Sequence, residues 1–189
     1  MKKIRKPGTH RSTEEKYRKI REFARSILLP SLQGIFGSSL SLDEITPSAL
    51  AQAETWPSMY ARLRAGVLQP GWVWRKELAR FRKRPRRIEL SIWFEGNLCG
   101  LALGRISDAC VVASIHYLEG RPQNHPLSGQ IALLATRYLE VVAVAIRARH
   151  VSLESPVPGL IAHYKELGFV HEVHKKGHIA RLIKRVEAV

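Results

Sequence analysis

The sequence predicts an α/β fold, and three stretches carry the prediction. From Ala109 to Phe169 a strand-like run, ACVVASIHYLEG, passes through the polar, proline-bearing loop RPQNHPL into an apolar helix opening SGQIALLATRYLEVVAVAIRA. A short strand, HVSLES, and a short helix closing on GLIAHYKELGF follow. Strand, helix and a second strand of the same sheet make a βαβ crossover, and its loop enters a helix N-terminus, where unpaired N–H groups and the helix dipole suit an anion. Ahead of it, IELSIWFE and LCGLALGR flank Gly96-Asn97, a two-residue turn suited to an antiparallel hairpin. Behind it, VHEVHKKGHIARLIKRV alternates on either side of Lys176-Gly177 and reads as a closing hairpin.

Size and composition bound what such a chain can be. Its 189 residues, 45% hydrophobic, suit one globular domain with a tail. The charge is lopsided: 31 Lys+Arg against 16 Asp+Glu leave a formal +15, which favours a polyanionic partner such as RNA, DNA, an anionic membrane surface or an acidic protein. Cys99 and Cys110 sit in apolar, strand-like surroundings without C-x-x-C spacing, so packed, reduced thiols and a cytoplasmic location are expected. No apolar run approaches the ~20 residues of a membrane span. Met1 to Arg25 is charged throughout and does not read as a signal peptide.

In chain order, Lys2, Lys3, Arg5 and Lys6 with Pro7 and Gly8 predict an unstructured basic arm. Ser12-x-x-Glu15 fits a capping box opening an amphipathic helix, with Tyr17, Ile20, Ala24, Ile27 and Leu28 at helical spacing and Arg18, Arg21, Glu22 and Arg25 on the other faces. That helix either docks its apolar stripe on the domain or contacts a nucleic acid or partner. PSLQGIFGSS, between Leu29 and Ser41, predicts a linker, so residues 1–40 are set apart from a domain of residues 41–189. SLSLDEIT is a candidate edge strand, Asp43 to Glu54 and Ser58 to Ala65 are candidate helices, and Trp72 to about Lys83 is another. In Ile88 to Glu95, Ile88, Leu90, Ile92 and Phe94 share one face and Glu89, Ser91, Trp93 and Glu95 the other. The helix from Ser128 to Arg147 is apolar almost all round after Leu139, which predicts deep burial despite the β-branched run VVAVAI.

From Arg75 to Arg87 there are eight Lys/Arg and one acid, Glu77, with Trp72, Trp74 and Phe81 interleaved. Cations beside aromatics suit phosphate contact and base stacking, so Arg75, Arg80, Arg82, Lys83, Arg84, Arg86 and Arg87 are candidate nucleic-acid-binding residues. The competing reading is a solvated face with the aromatics as core anchors. His171, His174 and His178 lie close in sequence, but alternation puts His171 and His174 on opposite faces and no Cys or Asp completes a set, so no metal site is expected. Gly-x-Ser-x-Gly, Walker and dinucleotide fingerprints are absent from the sequence.

The central unit resembles the GCN5-related N-acetyltransferases, which transfer acetyl from acetyl-CoA to an amine. Ala162, Tyr164, Leu167, Gly168 and Phe169 reproduce the family's closing A-x-Y-x-x-L-G-F, in the expected place after strand, loop, helix and strand. The resemblance covers about residues 40 to 185. It implies a mixed, mostly antiparallel sheet of six or seven strands flanked by helices on both faces, with one or two helices between the first and second strands. It also implies that acyl-CoA is a partner and that Tyr164 is the general acid for the leaving thiolate. The end of the fourth strand, about Ile115, Tyr117 and Leu118, would pair with the pantetheine arm, and Glu119 would be the general base, with Glu89, Glu154 and His116 as rivals. The family's pyrophosphate loop, Gln/Arg-x-x-Gly-x-Gly/Ala, aligns with Asn124, Leu127 and Gly129, so one of three positions fits. Leucine in place of glycine disfavours positive φ and is expected to obstruct a phosphate, leaving Ser128, Gly129 and Gln130 as the N–H donors. Two functions follow: an acetyl-CoA-dependent N-acetyltransferase acting on an amine, RNA-borne or ribosome-associated if charge is the guide, or a catalytically degenerate relative that binds RNA or DNA. The basic face could instead meet a protein or a second copy of the chain as a homodimer.

Overall fold

The computed structural model describes residues 10–57, 71–122 and 125–186. Its elements are α1 (His10–Phe36), β1 (Leu40–Asp43), α2 (Pro47–Ala53), α3 (Trp74–Arg82), β2 (Arg87–Phe94), β3 (Asn97–Ile106), β4 (Val112–Gly120), α4 (Ile131–Ala145), β5 (His150–Glu154), a 3₁₀ turn (Pro158–Leu160), α5 (Ile161–Glu166), β6 (His171–Lys175) and β7 (His178–Arg185). The strands form one sheet in the order β1-β2-β3-β4-β5-β7-β6. Neighbours are antiparallel except β4 and β5, which run parallel because α4 carries the chain back between them. The α/β class, the mostly antiparallel seven-stranded sheet and the helices on both faces are as the sequence implied.

Period-two alternation explains why both faces are covered. Ile88, Leu90 and Ile92 join the core beneath α1 and α4, together with Leu134, Tyr138, Leu139 and Val142. Leu98, Leu101 and Leu103 face a second cluster formed by Trp56, Trp74, Leu78 and Phe81 from the chain between β1 and β2. The run VVAVAI stays helical through Ala145, since burial of Val142 outweighs its weak helical preference.

Several boundaries differ from the sequence reading. The helix begins at His10, so Ser12 lies inside it and is not its cap. The linker expected from Leu29 to Ser41 shrinks to Gly37–Ser39, because α1 continues through Pro30 to Phe36. Leu28 and Leu32, on either side of that proline, are buried. Two buried leucines contribute about 3–6 kcal/mol, enough to offset the ~3 kcal/mol of an internal proline. Tyr17, Ala24, Leu28 and Leu32 belong to the same cluster as the sheet, so the helix docks an apolar stripe on it, whereas Ile27, expected in that stripe, is 57% exposed. Arg21, expected on an outer face, is 1% exposed, and meets Glu14 at 2.9 Å and Glu44 at 3.2 Å.

The helix expected from Asp43 is delayed, because Asp43 ends β1 and Thr46 caps α2, its side chain accepting from the Ala49 N–H at 3.2 Å. The β2–β3 turn falls on Glu95-Gly96, not Gly96-Asn97, with φ of 50° and 74° at its two residues. This is the left-handed pair a two-residue hairpin turn requires, and it returns Asn97 to β3 opposite Phe94. The helix expected over Ser58 to Ala65 lies outside the described residues.

Candidate active site

The sheet opens in its middle. β4 and β5 pair from Val112↔His150 to Ile115↔Leu153, and β4 then continues five residues further, to Gly120, without β5 alongside. At the parting point β4 also bulges, since Leu103 faces Tyr117 and Gly104 faces Ile115, leaving His116 unmatched on β3. Ile115, expected to bind pantetheine, is still paired with Leu153, so the free edge begins beyond it.

A cavity of about 440 Å³ occupies this opening. Leu118 and Gly120 form its strand side, Arg121, Pro122 and His125 its loop, Ser128, Gly129, Ile131 and Ala132 the start of α4, and Leu160, His163 and Tyr164 its far wall. The start of α4 lies tight on the sheet because Gly100 faces it. A Cβ at Gly100 would come within 2.6 Å of the Ile131 side chain, so only glycine admits the helix this close.

The loop before α4 closes on itself. The Ser128 N–H donates to the His125 carbonyl at 2.9 Å and the Gln130 N–H to the Leu127 carbonyl at 3.0 Å. The Ser128 hydroxyl accepts from the His125 N–H at 3.0 Å, and His125 Nδ1 accepts from the Leu127 N–H at 3.2 Å. Two of the three expected amide donors, on Ser128 and Gln130, are therefore used inside the turn. Gly129, with φ of 78° and nothing within 4 Å of where a Cβ would stand, lines the cavity, and the first-turn amides of α4 follow it. The helix thus begins at Ile131, with Gln130 as its N-cap, later than the predicted Ser128.

Leu127 turns inward. Its side chain is 1% exposed and packs into the core beneath α4, so it holds the turn down. Asn124 lies outside the described residues. Arg121 and His125, which the aligned motif passed over, supply the polar wall, and their place directly after a strand and before a helix is the signal that could have found them. Burial, and secondarily the Arg121 cation, hold the His125 imidazole below its usual range.

Tyr164 reaches the cavity from α5. It is 6% exposed, lines the cavity, and its hydroxyl has no hydrogen-bond partner among the described residues. Burial raises its pKa, which keeps the phenol protonated.

The other strand residues face away. Tyr117 packs against the α3 face, edge-on to Trp72 at 4.7 Å and to Phe81 at 5.8 Å, and its hydroxyl bonds to Arg80. Glu119 is 7% exposed and accepts a hydrogen bond from Trp74 Nε1 at 2.5 Å. Glu89 is enclosed by Arg87 at 2.8 Å, Arg82 at 3.8 Å and Arg21 at 3.9 Å, and Glu154 by Arg181 at 2.6 Å, so both rivals are held in ion pairs.

Several cations of the basic run are engaged within the fold. Arg75 pairs with Glu54 at 2.8 Å, Arg80 with Glu77 at 2.8 Å and Arg87 with Glu14 at 2.6 Å, while Arg82 donates to the Ile45 carbonyl at 2.9 Å. Lys83, Arg84 and Arg86 line a separate cleft, where Arg86 pairs with Asp108 at 3.3 Å. Among the described residues no group of three His, Cys, Asp or Glu is set to hold a metal, and no helix is long and apolar enough to cross a membrane.

Strand order, parting strands and a closing Tyr-bearing helix define the fold of the GCN5-related N-acetyltransferases. Solved structures agree. The PaiA N-acetyltransferase from Thermoplasma acidophilum, in complex with coenzyme A, is 15% identical over 78% of this chain and 99% of its own, with a TM-score of 0.52. An aminoglycoside 6′-acetyltransferase type Ii is 17% identical over 78% and 98%, with a TM-score of 0.54. YncA from Salmonella typhimurium, with its cofactor acetyl-CoA, is 16% identical over 79% and 95%, with a TM-score of 0.51. At these identities the likeness is one of fold. No protein-family model matches the sequence, and no curated protein does.

Proposed function

We propose that this protein is an acyl-CoA-dependent N-acetyltransferase acting on an amine. The observation that carries the reading is the single cavity joining the free edge of β4, the start of α4 and the unpartnered Tyr164 hydroxyl. Coenzyme A is a pyrophosphate-bearing thiol with an amide-rich arm, and the cavity offers something for each part. The backbone beyond Ile115 suits the arm as an added strand would. Gly129, the first-turn amides of α4 and the Arg121 cation suit the pyrophosphate. The open space over Gly129 is what a close phosphate needs, and Leu127, turned into the core, leaves it clear.

Bound there, acetyl-CoA supplies an activated acyl carbon and a thiolate leaving group. Tyr164, kept protonated by burial, donates its proton to the departing sulfur. Glu119, on the opposite side of β4, takes the proton of the attacking amine. Its carboxylate has about four lone-pair sites, so the Trp74 N–H does not exhaust its accepting capacity. Backbone N–H groups at the β4 bulge polarise the acyl carbonyl. The amine would approach from the α2–α3 side, where Tyr117, Trp72 and Phe81 stack.

Calorimetric titration of acetyl-CoA into protein stripped of nucleic acid by high salt tests the reading. Saturable micromolar binding, lost on Gly129→Val, is expected. Wild-type protein that gives no heat would leave a degenerate relative of the same fold.

A further inference from the structure

We propose that a second, cationic cleft at the far end of the sheet holds the phosphates of a nucleic-acid strand. The cleft, about 700 Å³, is formed where the α3–β2 connection, the end of β3 and the first turns of α1 meet. Lys83, Arg84, Arg86 and Arg105 line it, against one carboxylate, Asp108. It sits by Arg105 and Ile106, whereas the acyl-CoA cavity lies at the other end of β3 and β4, by Gly100 and Gly120. The two sites share no residue, so this inference stands whether or not the protein transfers an acyl group.

What distinguishes these cations is how they are held. Arg75, Arg80, Arg82 and Arg87 are committed to carboxylates or carbonyls of the fold. Arg84 and Arg105 are exposed and have no ion pair among the described residues. Arg86 is braced from one side, donating to the Asp108 carbonyl at 2.6 Å and to its carboxylate at 3.3 Å and lying 6.0 Å from the Tyr17 ring centroid, so its guanidinium is fixed in place. Fixed guanidinium forks match phosphate oxygens two at a time. Thr13, in the first turns of α1, lines the same cleft.

The chemistry favours a nucleic acid over a small anion or an acidic protein. Four lining cations against one carboxylate exceed what one phosphate requires, and cations concentrated this way repel one another unless an extended anion visits. Protein interfaces are anchored by exposed aromatic or apolar side chains, and the lining here is polar apart from Pro85 and the buried Ile106. Tyr17 is buried beneath Arg86, so no aromatic platform is available for stacking a base. Binding is therefore through the backbone, tolerant of sequence and steep in salt.

The test is fluorescence anisotropy with labelled 20-nucleotide single strands of RNA and of DNA, two unrelated sequences each, from 50 to 300 mM salt. The expected result is binding of both sequences within threefold of each other, with a log–log salt slope of several units. Arg84→Glu/Arg105→Glu should weaken it tenfold or more and reduce the slope by about two. Lys175→Glu/Lys176→Glu, which removes the same charge from the distant β6–β7 hairpin, should weaken it less than threefold. Thermal melts establish that both variants fold. Absence of wild-type binding, equal weakening by the two double variants, or equal affinity for poly-glutamate with the same response to Arg84→Glu/Arg105→Glu would each overturn the proposal. Comparison of the RNA and DNA strands tells which backbone the cleft prefers.

Discussion

The indole N–H of Trp74 donates to the Glu119 carboxylate at 2.5 Å, tying the start of α3 to the free end of β4. Both side chains are buried, so the contact fixes a carboxylate beside the opening of the sheet. Glutamine preserves the acceptor, and alanine strands the indole donor. Glu119→Gln should therefore leave stability within about 1 kcal/mol of wild type, while Glu119→Ala loses about 1–3 kcal/mol. As the base, Glu119 also predicts a 10²-fold or greater fall in kcat for Glu119→Gln, shrinking as pH rises and the amine loses its proton to solvent. A loss of rate that is the same at every pH would assign the residue to positioning alone.

Tyr164 makes a different combination of outcomes testable. Its hydroxyl has no partner among the described residues, so Tyr164→Phe should leave the melting temperature unchanged. As the acid, the hydroxyl is worth roughly 10²-fold in kcat. Because burial raises its pKa above the usual value near 10, wild-type kcat should show no decline from deprotonation of this group below about pH 10. Stopped assays across pH 7–10 with acetyl-CoA and a polyamine acceptor would show it, and an undiminished Tyr164→Phe rate would remove the tyrosine from the chemistry.

His116 predicts a pH dependence of stability. It occupies the β4 bulge against Phe81 at 5.7 Å, and its Nε2 is buried without a hydrogen-bond partner. Burial lowers its pKa to about 4, with the Arg105, Arg181 and Arg84 cations adding to the effect and Glu154 opposing it. The unfolded chain takes up this proton near pH 6.5 and the folded chain only near 4. The neutral ring's contribution is thus complete above pH 6.5 and is lost as pH falls toward 4. Allowing for partial exposure, the loss is on the order of 2 kcal/mol. Urea melts at pH 7 and 4.5 should show a smaller difference for His116→Phe than for wild type; equal differences would mean the ring is solvated.

How much of this was legible follows from where the signals are local. Alternation in Ile88 to Phe94 and the turn residues around Gly96 and Lys176 fixed strands and hairpins, because side-chain periodicity and positive φ are properties of neighbouring residues. The Tyr164 motif located the far wall of the cavity. Pairings across the chain were not legible. Nothing near Arg21 in sequence announces that Glu14, Glu44 and Glu89 will enclose it, and nothing within Arg75 to Arg87 announces which residues line a cleft and which do not. The inward turn of Leu127 was not legible for the same reason: it depends on which way the turn points the side chain, and that is set by His125 and Ser128 bonding across it.

That reversal gives a last prediction. If Leu127 blocked a phosphate, replacing it with glycine would create or improve acetyl-CoA binding. The structure instead buries the side chain in the core with Ile131 and Leu134 nearby in the same cluster. Leu127→Gly should then remove about 3–5 kcal/mol of stability through the cavity and the added backbone freedom. It should also weaken acetyl-CoA binding, since the loosened turn no longer presents Gly129. Leu127→Met, which keeps the volume, should lose less than about 1.5 kcal/mol and bind as wild type does. Chemical denaturation and calorimetric titration on the three proteins decide between the two roles. A glycine variant that is stable and binds more tightly would return Leu127 to the cavity wall.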